Sequence, residues 1–285
     1  MNIKITADST CDLSKAQVSE NEIELFPLYI TKDGKSFRDG VDIFPADIVA
    51  HVAAGGDLCG TSAVNVGDYA ERFAVLSAQY DGVIHISLGS GFSSAYQNAC
   101  IAAADYPNIR VIDSGNLSTG QGHIVMEACR LRPTAEDLDV LADALRDLVP
   151  RVETSFLLNR LDYMVKGGRC SAVAAFGANL LQLRPSIEVK DGKMTVSKKY
   201  RGSFGKCLEA YIKDRVAERD DILRDFAFFT YSETEHPENV ERAWNTAVEY
   251  GGFRQMEKTE AGCTVTCHCG PDCLGILFLR KNENP

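Results

Sequence analysis

The sequence predicts an α/β fold in two lobes: an N-terminal three-layer α/β/α unit on a parallel sheet, then a C-terminal α+β unit with a mixed, mostly antiparallel sheet. Three observations predict it. Strand-like and helix-like stretches alternate through the first half, the pattern of βαβ units. The second half mixes a strong hairpin signal with amphipathic helices. The 285 residues also exceed a single average domain of about 150. The junction is placed near Pro150, giving units 1–150 and 151–285. No Pro/Ser-rich linker marks it, so the lobes are expected to pack closely and to interleave.

Each element has its own signal. Ile3–Ala7 is a short apolar strand that runs into the polar Asp8-Ser9-Thr10-Cys11-Asp12. Ser14 can cap a helix through Glu20. Ile23–Ile30 is strand-like, and Lys32-Asp33-Gly34-Lys35 has hairpin-turn chemistry. Asp42 and Pro45 open a helix that stops at Gly55-Gly56. Asn65 caps the amphipathic stretch Asp68–Gln79, Val83–Ser87 is a β-rich strand, and Gly89–Gly91 is a loop before an Ala-rich helix over Ser93–Asp105. Ile109–Asp113 is a further strand, and Thr134 with Asp137 reads as a capping box for a helix to Leu148.

In the second half, Arg151–Leu158 is a strand, Lys166-Gly167-Gly168-Arg169 a polar glycine turn, and Ser171–Leu183 a helix. Ile187–Lys190, Asp191-Gly192 and Met194–Tyr200 spell a hairpin. Ser203–Arg219 and Glu238–Tyr250 are amphipathic helices around the strand Phe226–Tyr231. Cys263–Cys267 and Leu274–Leu279 are strand-like pieces around His268–Pro271.

Composition excludes several classes of function. The formal charge of −10 repels a phosphate backbone, so nucleic acid is not expected as a partner. No apolar run reaches the 18 or so residues of a membrane span, and the N-terminus lacks a signal-peptide core. The expectation is a cytoplasmic protein without a transmembrane segment. Its ten cysteines are then reduced thiols, mostly small buried hydrophobes.

Four constellations offer chemistry. A strand, a Gly/Ser loop and a helix start meet at Val83–Ala95, where backbone N–H groups, a helix dipole and the hydroxyls of Ser93 and Ser94 suit a carboxylate or phosphate; capping is the commoner use of such a serine. Gly91-Phe92-Ser93-Ser94-Ala95 also comes close to the G-x-S-x-G elbow, so a serine esterase or acyl hydrolase using Ser93, with His268 late in the chain, is the alternative function. Against it stand the small first lobe and the lack of an HGGG-like oxyanion motif. Thr61-Ser62 places two more hydroxyls before a helix, unless they only shape a turn. Arg169, and similarly Arg201, follow or precede glycine at exposed turns, where a solvated cation is the ordinary outcome. Finally, Cys263-x3-Cys267-His268-Cys269-Gly270-Pro271-x-Cys273 crowds four thiols and an imidazole, yet lacks the C-x2-C knuckles of a zinc site. On a strand, Cys263 and Cys267 would share a face and pack rather than ligate. No metal is expected.

Together these segments resemble the DegV family, the fatty-acid-binding subunits of bacterial fatty acid kinase. The resemblance rests on Asp8-Ser9-Thr10-Cys11-Asp12-Leu13, Phe37-Arg38-Asp39-Gly40-Val41-Asp42-Ile43, Thr61-Ser62, Ser90-Gly91-Phe92-Ser93 with Tyr96-Gln97, Val111-Ile112-Asp113-Ser114, Lys166-Gly167-Gly168-Arg169 and His268-x-Gly270-Pro271 with Leu274-Gly275, in order along the whole chain. It implies two α/β lobes with a long-chain fatty acid, such as palmitate, stearate or oleate, between them. The carboxylate would be held by Thr61, Ser62 and Ser93, with Ser94 beside them. A separate ATP-binding kinase subunit related to dihydroxyacetone kinase would phosphorylate it. Arg169, Arg201 and His268 would face that kinase or support phosphotransfer. The chain departs from the family at Ser94-Ala95, where Gly-Thr is usual, at Ala63-Val64 in place of Gln-Pro, and at the cysteines flanking His268. No P-loop is present, so the chain is expected to be a lipid-binding subunit and not itself an enzyme. Neutral hydroxyls at a helix start hold a carboxylate without an Arg that would lock it away from a phosphoryl donor.

Overall fold

The computed structural model describes residues 1–174 and 183–282. β1 (Ile3–Asp8) leads through a 3-10 turn at Ser9–Cys11 to α1 (Lys15–Glu20), where Ser14 and Gln17 form a reciprocal capping box. β2 (Glu24–Phe26), β3 (Tyr29–Lys32) and β4 (Lys35–Arg38) follow. The single strand expected over Ile23–Ile30 is therefore two, and they join different sheets. Pro27 has no N–H to donate to a ladder, so the chain changes direction there.

α2 (Pro45–Ala53), β5 (Gly60–Ser62), α3 (Val66–Gln79), β6 (Gly82–Ser87), α4 (Ala95–Ala103), β7 (Ile109–Asp113), α5 (Ser118–Leu131) and α6 (Leu138–Leu148) complete the first half. Asn65 caps α3 through the Asp68 N–H at 2.9 Å, as its position predicts. α6 is capped by Asp137 alone, which accepts from Asp139 and Val140 N–H groups; the Thr134 hydroxyl turns back to the Leu131 carbonyl, so the expected capping box does not form. α4 begins at Ala95, two residues later than expected, because Ser93 belongs to the loop.

Strands β2-β1-β6-β7 form a wholly parallel sheet. Every residue of β6 is buried, as a strand covered on both faces must be. Val83 packs with Tyr69, Phe73 and Leu76 of α3, while Ile84 and Ile86 pack with Ile124 of α5 and Leu141 and Leu145 of α6. That period-two alternation makes the three layers. A small antiparallel sheet β4-β3-β5 stands apart, its β3–β4 turn carrying Asp33 and Gly34 at φ 50° and 72°.

α5 was not expected, and the reason is physical. It lies against β1 and β6 on one side and against three strands of the second sheet on the other. Buried all round at its start, over Ser118–Val125, it shows no amphipathic period. Gly120 and Gly122 let its backbone approach: a Cβ on either would run into Thr154 or the Cys11 carbonyl.

Beyond Pro150 come β8 (Val152–Leu158), α7 (Asp162–Gly167), α8 (Ser171–Ala174), β9 (Leu183–Lys190), β10 (Lys193–Arg201), α9 (Phe204–Val216), β11 (Ile222–Tyr231), α10 (Pro237–Gly251), β12 (Gln255–Glu260), α11 (Cys263–Cys269) and β13 (Cys273–Arg280). The sheet order is β10-β9-β8-β13-β11-β12, antiparallel except for the β11–β12 pair. α9 and α10 back it through Leu208, Tyr211, Phe229 and Phe278. The mixed, mostly antiparallel sheet is as the sequence predicts. Of the helix expected over Ser171–Leu183, residues 171–174 are helical, 175–182 lie outside the described residues, and Leu183 opens a strand. β12 was missed because its edge position leaves it polar. Cys263–Cys267 is helical rather than a strand; the two thiols still share a face, now by the i, i+4 rule. No helix among the described residues is long and apolar enough to cross a membrane.

Candidate functional site

Four segments converge on one cavity: the end of β5, the loop between β6 and α4, the turn after α7, and α11. Thr61, Ser62, Ser93, Arg169 and His268 all line it, together with the apolar Leu28, Leu88, Phe92, Leu117, Met194 and Val265. Its volume is about 60 Å³, far below the roughly 300–1,000 Å³ of ordinary ligand sites. A ligand of ordinary size would therefore fit only if these apolar walls part.

Three buried carboxylates set the geometry. Asp8, at the end of β1, accepts hydrogen bonds from the Tyr69 hydroxyl, the Ser87 hydroxyl at 2.7 Å and the Leu88 N–H at 2.8 Å, and lies 3.3 Å from His85 Nε2. Burial pushes its carboxyl up, but His85, Tyr69 and Ser87 together outweigh that and hold it below the usual range. Asp8 thus fixes the start of the serine loop. Asp39 accepts from the Cys263 and Thr264 N–H groups, both at 3.1 Å, from the Thr264 hydroxyl at 2.7 Å and from Ser9. Asp12 accepts from the Gly262 N–H at 2.9 Å and the Ser118 hydroxyl at 2.7 Å. Burial, with the Asp39 charge nearby, pushes Asp12 up to about 7. These two aspartates seat the first turn of α11, which carries Val265, His268 and Cys269 to the cavity. The Asp8–Asp12 and Phe37–Ile43 motifs are thus scaffold for the site, a role that single residue types did not reveal.

At the mouth, Thr61 Oγ1 lies 2.8 Å from His268 Nε2. Sequence reading placed these two in separate groups, a carboxylate site and a kinase-facing site; the fold joins them. Gly167 makes this contact possible, since a Cβ there would collide with the His268 ring. Burial, reinforced by the Arg169 cation, lowers the His268 pKa to about 4, so the ring is neutral near pH 7. With the proton on Nε2, the ring donates to Thr61 and leaves the Thr61 hydroxyl hydrogen free for an anion. Ser93 Oγ accepts the Ala95 N–H at 3.2 Å, which orients its own hydroxyl at the start of α4. Arg169 is exposed and spans the rim, donating to the Gly167 carbonyl at 2.7 Å and reaching the Phe92 carbonyl at 3.5 Å.

The remaining expectations separate from the cavity. Ser94 is exposed at the N-cap of α4 and makes no capping bond, and Arg201 is exposed at the end of β10; neither lines the cavity. Among the described residues Ser93 has no hydrogen-bonded base, and His268 is engaged with Thr61, so the nucleophile–base contact of an esterase is not formed there. All ten cysteines are free thiols. Burial pushes Cys11 up to about 12 and Cys129 to about 11. Among the described residues no cluster of three or more His, Cys, Asp or Glu could hold a metal. The sequence reading missed Thr10, Thr264 and Cys269 on the cavity wall; only α11, read as a helix, would have pointed to the last two.

Fold and site define a two-lobed α/β protein with an apolar cavity closed by hydroxyls and a neutral imidazole. The family model for uncharacterised proteins of the DegV family matches residues 2–281. A DegV domain-containing protein of Clostridium acetobutylicum is 31% identical over 281 residues, covering 98% of this chain and 99% of that one. The chain belongs to the DegV family. Among solved structures, a DegV family protein from Thermus thermophilus described by its fatty acid binding superposes with a TM-score of 0.88 at 24% identity, over 99% of this chain and all of that one. A stearic acid-binding protein from Eubacterium ventriosum gives 0.83 at 25% identity, over 99% of each.

Proposed function

We propose that this protein binds a long-chain fatty acid and presents its carboxylate to a separate ATP-dependent kinase subunit, which converts it to an acyl phosphate. The observation that carries the reading is the cavity mouth: Thr61, Ser62 and Ser93 around a neutral His268, with apolar walls behind them. The relatives named for fatty acid binding share this fold from end to end. Hydroxyls and the dipole of α4 favour a carboxylate while leaving its second oxygen open to a phosphoryl donor. Affinity comes mainly from the tail, at about 0.8 kcal/mol per buried CH₂. In this reading, the unit over 1–150 supplies the hydroxyls. The unit over 151–285 supplies Arg169, the apolar side chain of Met194, and α11. Arg169 faces the kinase. We place the protein in the cytoplasm, where ATP and the kinase would be.

Native mass spectrometry of protein purified without detergent tests the proposal. A copurified long-chain fatty acid, or uptake of palmitate, stearate or oleate by delipidated protein, is the expected result. Protein that stays empty with all three overturns it.

A further inference from the structure

Behind the acid cavity lies a second, smaller one of about 20 Å³, and Leu117, Val265 and Cys269 line both. Apart from these its walls are mixed. Phe156 and Leu277 are apolar, while Thr154 brings a hydroxyl. Neighbouring hydroxyls are satisfied: Ser155 meets Tyr211, and Thr230 meets Thr119 and Thr259. Thr154 is different. It is 1% exposed, and its Oγ1 has no hydrogen-bond partner among the described residues.

A second orphan stands on the same side. Asn116 is 4% exposed; its amide N–H donates to the Ser114 carbonyl at 3.1 Å, but its Oδ1 accepts nothing from the described residues. Both orphan atoms face Gly120, where a Cβ would collide with Thr154 Oγ1 and come within 3.1 Å of Asn116 Oδ1. Thr154 also lines the wide cleft between the lobes, on whose floor Asn116 lies. The smaller cavity therefore carries an unpartnered hydroxyl in its lining, while the unpartnered amide oxygen lies nearby, outside that lining.

Buried polar atoms without partners are uncommon, and each calls for a group that completes it. A cavity this small holds one water-sized group. A plain methylene there would leave Thr154 Oγ1 unsatisfied. A hydroxyl there would accept a hydrogen bond from Thr154 or donate one to it. We propose that the far end of the acyl slot receives a hydroxyl on the chain, so that the preferred ligands are hydroxy fatty acids substituted in the distal half. This inference rests on the fatty-acid reading and narrows its ligand class.

Isothermal titration of delipidated protein with stearate, 10-hydroxystearate and 12-hydroxystearate tests it. One hydroxy isomer should bind about ten-fold tighter than stearate, the effect of one satisfied hydrogen bond. Thr154→Val should erase that preference with stearate affinity kept, and Thr154→Ser should retain it. Equal or weaker binding of both hydroxy acids by the wild-type protein overturns the inference and means that water fills the site. So does a preference that survives Thr154→Val. If none of the three acids binds, it is the fatty-acid reading itself that fails.

Discussion

Thr61 and His268 are 207 positions apart in sequence and 2.8 Å apart in space. Both residue types were visible in the sequence as chemistry; their partnership was not, because nothing local connects a β5 hydroxyl to an α11 imidazole. Thr61→Val combined with Ser93→Ala should weaken palmitate binding by about 1–3 kcal/mol, since two donors to the carboxylate are lost. Titration calorimetry on delipidated protein checks this, and unchanged affinity would move the head group elsewhere. His123, on α5, supplies a test of pH dependence. Burial lowers its pKa from 6.5 to about 4, outweighing the hydrogen bond from the ring to the Leu277 carbonyl and the nearby Glu127 charge. Above pH 6.5 the ring is neutral folded or unfolded and costs nothing. As pH falls toward 4 only the unfolded chain takes up the proton, so stability is lost across that window, by about 3 kcal/mol in full. His123→Gln should lack this loss. Urea midpoints of the two proteins should therefore converge, or cross, between pH 7 and pH 4.5; a constant gap would rule the ring out.

α11 shows how an element can be misread while its consequence survives. Its sequence, Cys-Thr-Val-Thr-Cys-His-Cys, is rich in β-branched residues and thiols, and local propensity favours a strand. The helix forms because Asp39 and Asp12 satisfy its first N–H groups from another part of the chain. Asp39→Ala should cost about 2–3 kcal/mol by chemical denaturation, leaving the Cys263 and Thr264 donors unpaired. It should also weaken fatty acid binding, because His268 rides on the same helix. Stability equal to wild type would show that water replaces the carboxylate. α5 and β12 escaped the sequence for opposite reasons, burial on all sides and exposure at an edge, each of which removes the periodicity that reading depends on. The elements with their own turn or cap chemistry, such as the Asp191-Gly192 hairpin with φ of 49° and 68°, were legible in full.

Across the whole molecule, the strand content of each half announced the two larger of the three sheets, while the contacts between halves were hidden. α5 from the first half fills the space between the sheets, and α11 from the second packs on α2, β3 and β5 of the first. At the rim, Arg169 ties the turn after α7 to the serine loop through two carbonyls, and its guanidinium stays exposed. Arg169→Ala should leave palmitate affinity within about two-fold of wild type, as a surface contact of small worth, yet reduce acyl phosphate formation when a cognate kinase and ATP are supplied. Loss of palmitate retention would instead show that Arg169, which lines the cavity rim, holds the carboxylate itself. The seating of α11 on the first lobe has a further consequence in time. Translation completes the parallel sheet long before Cys269 is made, so a growing chain on the ribosome has only one half of the cavity lining. On the proposed reading, a fatty acid finds both walls of its cavity only after synthesis has passed α11.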